Sequence, residues 1–328
     1  MRALTFHAFG GADVLRYGEV PDPALPPGHA LVRMRAVGLN FADVYRRRGH
    51  YHLAGAPPYI AGYEGAGVVE AVHPERGDAE LVYVPNAGDR VAFADAPFAN
   101  AELVAVPLER LAPVPDVASF ETAAALLLQG LTAQYLVRDS YAVRPGTDAV
   151  VHAAAGGVGQ LLVQLARHAG ARVLGLASSA RKREAALAAG CDAALVYEDD
   201  WVLAARAWSR GGAGADVVYD SVGTTLDDSL RSARTGGTVV FYGFAGGDPR
   251  PVDPRRLMDG SLALVGGDLW NVLTSQAERV RRSAELFGLV SAGALRVTVG
   301  HVFPLAEGAQ AHRVLEGRES VGKVVMVP

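Results

Sequence analysis

The run Val150-Val151-His152-Ala153-Ala154-Ala155-Gly156-Gly157-Val158-Gly159 places a glycine-rich turn between an apolar strand-like segment and the opening of a helix-like one. Such a turn brings backbone N–H groups and a helix N-terminus against a pyrophosphate, which is the chemistry of dinucleotide binding. Ala154 replaces the first glycine of the usual pattern. The strand–turn–helix context therefore carries the reading, and a tight turn in an unrelated α/β domain is the alternative. The end of the next strand selects the dinucleotide. An Asp or Glu there holds the ribose hydroxyls of NAD, but this chain reads Gly175-Leu176-Ala177-Ser178-Ser179-Ala180-Arg181-Lys182-Arg183. A carboxylate would repel a 2′-phosphate, whereas hydroxyls and cations would bind it, so Ser178, Ser179 and Lys182 point to NADPH. Lys182 and Lys323 are the only lysines among 31 basic residues, so a lysine at this spot is not a by-product of composition. A basic first turn on a surface helix is the competing reading.

Other reactive side chains are few. Cys191 is the single cysteine, which excludes an intramolecular disulfide and a multi-thiolate zinc site. Its Ala-Gly-Cys-Asp context makes it a small packing residue. Tyr45 could donate a proton to a reduced acceptor or could pack as an aromatic at a loop, and the sequence leaves both open. His50 and His52 read as surface residues, His152 as a satisfied core histidine, and Asp43 as a residue that caps or braces its loop.

The elements that must position these groups fall into two kinds. Up to about residue 120, short apolar alternations (Ala30 to Val37, Gly65 to Val72, Arg90 to Ala94, Glu102 to Pro107) are separated by Pro, Gly and Asp, which suits a partly open barrel or sandwich. Pro21, Pro23, Pro26 and Pro27 make a loop. Ser119-Phe120-Glu121-Thr122 starts a helix that continues through Ala123 to Val137. Strands at 149–153, 172–176, 193–197, 216–220 and 238–243 then alternate with helices at 157–169, 180–189, 201–208 and 225–233. That alternation predicts a parallel doubly wound sheet, to which Leu262 to Val265 adds a sixth strand. From Asp268 a mixed pattern returns and ends in the strand Lys323 to Val327.

The chain of 328 residues is 50% hydrophobic and 20% charged, an ordinary globular balance with room for two cores. A formal net charge of −4 gives no footprint for nucleic acid or anionic membrane. Arg46-Arg47-Arg48 and Arg281-Arg282 read as solvated faces. Met1 leads directly into the strand-like Arg2 to Phe6 with no signal pattern. The longest apolar stretch, Ala123 to Val137, is broken by Gln129 and Gln134 and is too short to span a bilayer. A soluble cytoplasmic protein without membrane insertion is the expectation.

Taken together the motifs resemble the medium-chain dehydrogenase/reductase superfamily and, within it, the zeta-crystallin-like quinone oxidoreductases. The resemblance covers essentially the whole chain. It runs through Val37-Gly38-Leu39-Asn40-Phe41-Ala42-Asp43-Val44-Tyr45, Gly62-Tyr63-Glu64-Gly65-Ala66-Gly67-Val68-Val69, Gly88-Asp89-Arg90-Val91 and Gly130-Leu131-Thr132-Ala133. It continues through the glycine-rich turn with Gln164 and Arg167, Asp220-Ser221-Val222-Gly223 and Gly322-Lys323-Val324-Val325. The implied fold is α/β, a Rossmann doubly wound parallel sheet plus a GroES-like β-rich catalytic domain. The domains are 1–122 and 269–328 (catalytic) and 123–268 (NADPH-binding), with the active site in the cleft between them.

Zinc alcohol dehydrogenases of the superfamily carry Cys where Asn40 stands and His where Tyr63 stands, with a four-cysteine lobe that one cysteine cannot make. The resemblance therefore implies no metal, with Glu64 a structural carboxylate paired with an arginine. It also implies Asn40 and Tyr45 near the nicotinamide and Thr132 near its carboxamide. Gly156, Gly157, Val158 and Gly159 would hold the pyrophosphate, and Ser178, Lys182, Tyr197 and Arg318 would surround the 2′-phosphate. Ser221, Gly243, Phe244, Gly266, Gly267 and Asp268 would line the cofactor cleft. Gln129 departs from the lysine common at its position, and Asp95 to Asn100 departs from the Gly-Ala-Tyr/Phe-Ala-Glu pattern at the substrate mouth. The implied function is NADPH-dependent quinone reduction. The rivals are reduction of activated C=C bonds in enals, enones or enoyl thioesters with Tyr45 as proton donor, and an NADPH-holding RNA-binding or structural role. The acidic balance disfavours RNA. A homodimer is expected, pairing through the strand Leu262 to Val265.

Overall fold

The computed structural model describes residues 1–197 and 200–328, without the side chains of Arg76 and Ala79. The chain first makes β1 (Arg2–Phe6), β2 (Arg16–Glu19), β3 (His29–Leu39), α1 (Phe41–Arg47), β4 (Tyr59–Ile60), β5 (Gly65–His73), β6 (Arg90–Phe93), β7 (Leu103–Pro107) and β8 (Ala112–Pro113). Helix α2 (Phe120–Tyr135) leads into β9 (Asp148–Val151), α3 (Gly157–His168), β10 (Arg172–Ala177), α4 (Ala180–Ala188), β11 (Ala193–Val196) and α5 (Trp201–Trp208). There follow β12 (Ala215–Asp220), α6 (Leu226–Ser232), β13 (Ala233–Phe241), α7 (Pro254–Gly260) and β14 (Ala263–Gly266). The tail holds α8 (Gln276–Ser291), β15 (Val299–Pro304), α9 (Gly308–Glu316) and β16 (Lys323–Val327).

Two compact units result, Met1–Leu131 with Leu273–Pro328, and Thr132–Val272. The boundary anticipated after residue 122 falls in the first turn of α2, whereas packing divides inside that helix, after Leu131.

The first unit is β-rich. One sheet runs β15-β16-β3-β5-β6-β8 with β7 also paired to β3, and a small one runs β2-β1-β4. Pairing is antiparallel except between β15 and β16. Strand β3 shows why: Ala30, Val32, Met34 and Ala36 are buried while Arg33 and Arg35 are exposed, the two-residue period of a sheet with one dry face. The dry face joins a core with Phe6, Phe93, Leu108 and Met326.

The second unit is a six-stranded sheet of order β11-β10-β9-β12-β13-β14, parallel throughout. Strand β9 is buried at all four positions, as a strand covered on both faces must be. Strand order reverses between β9 and β12, and the carboxyl ends of strands at such a switch point are where open α/β sheets bind ligands. The doubly wound parallel sheet anticipated from the alternation is present, including its sixth strand. Strand β13 starts at Ala233, five residues before its sequence signal, because Gly236 (φ 73°) and Gly237 sit in an irregularity that reads locally as a break.

Two further expectations are corrected. Residues 41–47 form helix α1, not a loop, since Asn40 and Asp43 make a reciprocal capping box. The arginine clusters are not simply solvated faces. Arg46, Arg47 and Arg282 are buried, paired with Asp43, Glu316 and Glu278, while Arg48 and Arg281 remain half exposed.

His312, on α9, is fully buried with neither ring nitrogen partnered among the described residues. Burial pushes its pKa down to about 3 from the ordinary 6.5, helped by the positive Arg47. The folded ring stays neutral where the unfolded one protonates, so stability is lost as pH falls from about 6.5 toward 3. The slope from this group reaches about 1.4 kcal/mol per pH unit. His312→Leu is expected to flatten the fall of Tm between about pH 6.5 and 5 without loss of stability at neutral pH, because two unpartnered polar atoms leave the core. His152, also held below its ordinary value by burial, keeps part of the slope. Thermal denaturation across that pH range is the check.

Candidate active site

In the first unit a buried polar cluster surrounds the start of α1. The Asn40 Oδ1 accepts from Lys323 Nζ at 2.8 Å and from Gln129 Nε2 at 3.3 Å, and its Nδ2 donates to Glu64 Oε2 at 2.8 Å. Glu64 has no exposed surface. Its Oε2 also accepts from Lys323 Nζ at 2.6 Å, and its Oε1 from the Leu128 N–H at 2.7 Å. The partner of Glu64 is thus Lys323, not the arginine anticipated. A compact ammonium reaches two acceptors in a closed space where a planar five-donor guanidinium would strand donors. Burial pulls the Lys323 pKa down, and Glu64 and Asp43 oppose that.

Asp43 caps and braces as anticipated. Its Oδ2 accepts the Asn40 N–H at 2.9 Å and its Oδ1 accepts Arg46 at 3.3 Å. Burial raises its pKa, and Arg46 and the Asn40 N–H work the other way. The Arg46 guanidinium lies 3.5 Å from the Tyr63 ring centre, donates to the His52 carbonyl at 3.1 Å, and so ties the partly exposed 50–54 stretch to the helix. The Tyr63 hydroxyl accepts the Ala54 N–H at 2.8 Å. Tyr45 projects from the second turn of α1, partly exposed, its ring 6.2 Å from that of Phe41. At the departing segment Asp95 to Asn100, Phe98 is left-handed (φ 72°).

In the second unit Gly156 caps α3 without a side chain, and no acidic residue occupies its first turn. The N–H groups of Gly157, Val158 and Gly159 are thereby presented as at an anion site. A Cβ on Gly159 would stand 2.3 Å from the Ala153 carbonyl, so only glycine lets the helix approach the turn. Ser179 caps α4 by accepting the Lys182 N–H at 3.3 Å. That first turn also lacks an acidic residue, and Ser178 beside it is exposed. These features fit a pyrophosphate and a 2′-phosphate. Loops after β12 and β13 zip together, Tyr242 N–H to Asp220 O at 3.0 Å and Ala245 N–H to Ser221 O at 3.0 Å, which groups Ser221, Gly243 and Phe244. The Gly267 N–H reaches Phe241 O at 3.2 Å, bringing Gly266 to Asp268 alongside. Gly267 lies against the ring of Tyr135, one turn beyond Thr132 on α2. Arg318 belongs to the other unit, exposed and left-handed (φ 58°) after α9.

Cys191 packs as anticipated, its sulfur 2.7 Å from where a Gly175 Cβ would stand. Burial pushes its thiol up to about 12. His152 is a satisfied core histidine, with Tyr197 and Ser229 on its two nitrogens. Lys323 was not read as a site residue. Its signal was a lone lysine in an apolar strand of a chain that otherwise uses arginine.

Residues 26–145 match the family model described as alcohol dehydrogenase GroES-like domain, and residues 157–282 that described as zinc-binding dehydrogenase. The chain is 38% identical over 331 residues to a quinone oxidoreductase of Pseudomonas aeruginosa, covering 100% of this chain and 99% of that one. It belongs to the zeta-crystallin-like quinone oxidoreductases of the medium-chain dehydrogenase/reductase superfamily. This quinone oxidoreductase family member is also 37% identical over 337 residues to a 2-haloacrylate reductase of a Burkholderia species, covering 99% and 98% of the two chains. The solved structure of the Escherichia coli quinone oxidoreductase complexed with NADPH matches with a TM-score of 0.93 at 34% identity, over 100% of both chains.

The zinc in the second family description does not fit this member's donor set. Asn40 offers an amide, both Glu64 oxygens are filled by Lys323, Asn40 and Leu128, and Tyr63 is engaged with Arg46 and Ala54. Among the described residues no three of His, Cys, Asp and Glu gather as a metal site, and no helix is long and apolar enough to cross a membrane.

Lys323→Met is expected to destabilise the protein by about 3–5 kcal/mol, since it leaves a buried carboxylate without its cation. Adding Glu64→Gln should recover part of that loss. Denaturant unfolding of the two variants is the check, and a single-variant cost under about 1 kcal/mol would remove the pair from its structural role.

Proposed function

We propose that this chain is an NADPH-dependent quinone reductase that works without a metal. The observation that carries the reading is the hydrogen-bonded cluster at the start of α1, the helix that carries Tyr45. Asn40 and Glu64 spend their polar atoms on Lys323, Gln129 and Leu128, so the catalytic end keeps no strong acid or Lewis acid to polarise an unactivated carbonyl. A quinone needs little such help, because its reduction yields an aromatic product and a modestly basic phenolate. NADPH, when bound, supplies the reducing equivalents.

The protein's task is then placement. The first turn of α3 receives the pyrophosphate, and Ser178 and Lys182 receive the 2′-phosphate. Thr132 meets the carboxamide, and the loops holding Ser221, Gly243, Phe244 and Gly266 to Asp268 shape the rest. Tyr45 is the residue of the first unit that we assign to the reaction, carried by a helix that starts at Asn40 and Asp43. We assign the protein to the cytoplasm as a homodimer. Strand β14 supports the dimer, lying at the end of the six-stranded sheet with its outer edge unpaired among the described residues.

The 2-haloacrylate reductase relative favours a second reading, reduction of an electron-poor C=C bond. That reaction must deliver a proton to a carbon or enolate oxygen at a set position, and the Tyr45 phenol is the candidate donor.

Two substitutions test these assignments. Lys182→Ala removes a charge-assisted contact worth about 1.5–3 kcal/mol, so NADPH should bind about ten- to a hundredfold more weakly while NADH hardly changes. Equal losses for both in a binding titration would make the residue structural. Tyr45→Phe keeps the ring and should leave quinone reduction within about a few-fold, whereas enone or enoyl reduction should fall on the order of 10²–10⁴ if the phenol is its proton donor. NADPH oxidation across quinones, enals and enoyl thioesters measures both. Enoyl turnover far above quinone turnover, abolished in the variant, would put the second reading first.

A further inference from the structure

We propose that Phe98 is a specificity-determining residue whose ring reads the flat face of an aromatic acceptor. The inference rests on the reading of this chain as a reductase whose acceptor meets α1 of the first unit, and it deepens that reading by naming the acceptor class.

Four non-glycine residues among the described ones have a left-handed backbone, and three of them have a local reason. Ser261 and Arg318 follow helices α7 and α9, where that conformation closes the last turn. Ala153 lies in the glycine-rich turn. Phe98 (φ 72°) belongs to no helix end and no such turn, but to the connection between β6 and β7. In this region the Cβ of a bulky residue is crowded, so the conformation costs stability, whereas glycine adopts it freely.

The connection is anchored on both sides of Phe98 without its side chain. After it, the Ala99 N–H donates to Gly62 O at 3.1 Å and the Asn100 N–H to Ala61 O at 2.9 Å. Before it, the Asp95 carboxylate accepts from Arg110 and from Arg279, each at 2.7 Å. Ala96 and Ala99 enter the core of the unit, while the Phe98 ring stays partly exposed. A glycine at 98 would complete this segment without strain. A ring kept there against that cost points to a use other than folding.

The placement of the ring shows what the use is. A Cβ built on Gly55 would stand 3.4 Å from Phe98 Cε1 and 3.6 Å from Cζ, so the ring rests on Gly55 by its edge and that glycine leaves its face uncovered. Gly55 follows Ala54, whose N–H donates to the Tyr63 hydroxyl at 2.8 Å. The same stretch leaves α1 with the His50 N–H on the Tyr45 carbonyl at 2.8 Å, and Arg46 holds its His52. Phe98 thus packs on the segment that runs out from Tyr45. A partly exposed aromatic face on an anchored backbone attracts flat π-systems by offset stacking and offers little to a short alkyl chain.

The test compares acceptors that differ by one ring: a two-ring against a one-ring quinone, and an aryl-substituted against a short-chain alkyl enal. In Phe98→Leu the preference in kcat/KM for the larger flat member of each pair should fall about three- to tenfold, through KM with kcat little changed. Phe98→Tyr keeps the ring and should retain the wild-type preference. An unchanged preference in Phe98→Leu would overturn the proposal, as would an equal fall in Phe98→Tyr. The strain is read separately, from the melting temperatures of Phe98→Gly and Phe98→Ala. Both lose the ring, and the glycine variant should melt higher, the reverse of the usual order. The usual order, or failure of both to fold, would make the ring structural and overturn the proposal. A wild type that reduces enals and not quinones would instead displace quinone reduction as the function, and the enal pair would then decide the role of Phe98.

Discussion

A buried ammonium needs acceptors, and Lys323 finds two by drawing three distant parts of the chain together. It comes from the last strand, Glu64 from the entry to β5, and Asn40 from the cap of α1. Taking such charges out of water costs several kcal/mol each, so the cluster depends on its hydrogen bonds. Two residues at positions that would be metal donors in zinc-dependent relatives, Asn40 and Glu64, are here spent on each other and on Lys323.

The second unit obeys the same rule with neutral groups. Its strand ends must satisfy buried polar atoms at the switch point, and they do so with loops zipped by backbone hydrogen bonds and with His152 bonded to Tyr197 and Ser229. The first turns of α3 and α4 carry no acidic residue.

Much of this was legible in the sequence because its cause is local. Apolar runs of four to six residues alternating with helical periods give the parallel sheet, since each strand and helix declares itself without its partners; α5 was read at Trp201–Trp208, as observed. The glycine-rich turn was legible for the same reason. Pairings across long sequence separations were not. Nothing near Glu64 says that its counter-ion lies 259 residues away. Arg46 and Arg47 looked solvated because three consecutive arginines usually are, yet a seven-residue helix packed on both sides buries two of them. The role of Tyr197 was carried over from relatives by position. The structure adds two neighbours of its hydroxyl, the His152 ring and the Ala153 N–H.

The uneven use of lysine has an outcome in reactivity. Of two lysine side chains, Lys323 is 1% exposed and locked in an ion pair, while Lys182 is partly exposed at the head of α4. Acylating reagents, cross-linkers and cellular acetyl donors thus meet essentially one lysine amine on the folded protein. It is the one assigned to NADPH, so a bound dinucleotide would shield it. A protein so rich in arginine has concentrated its amine chemistry at a single address.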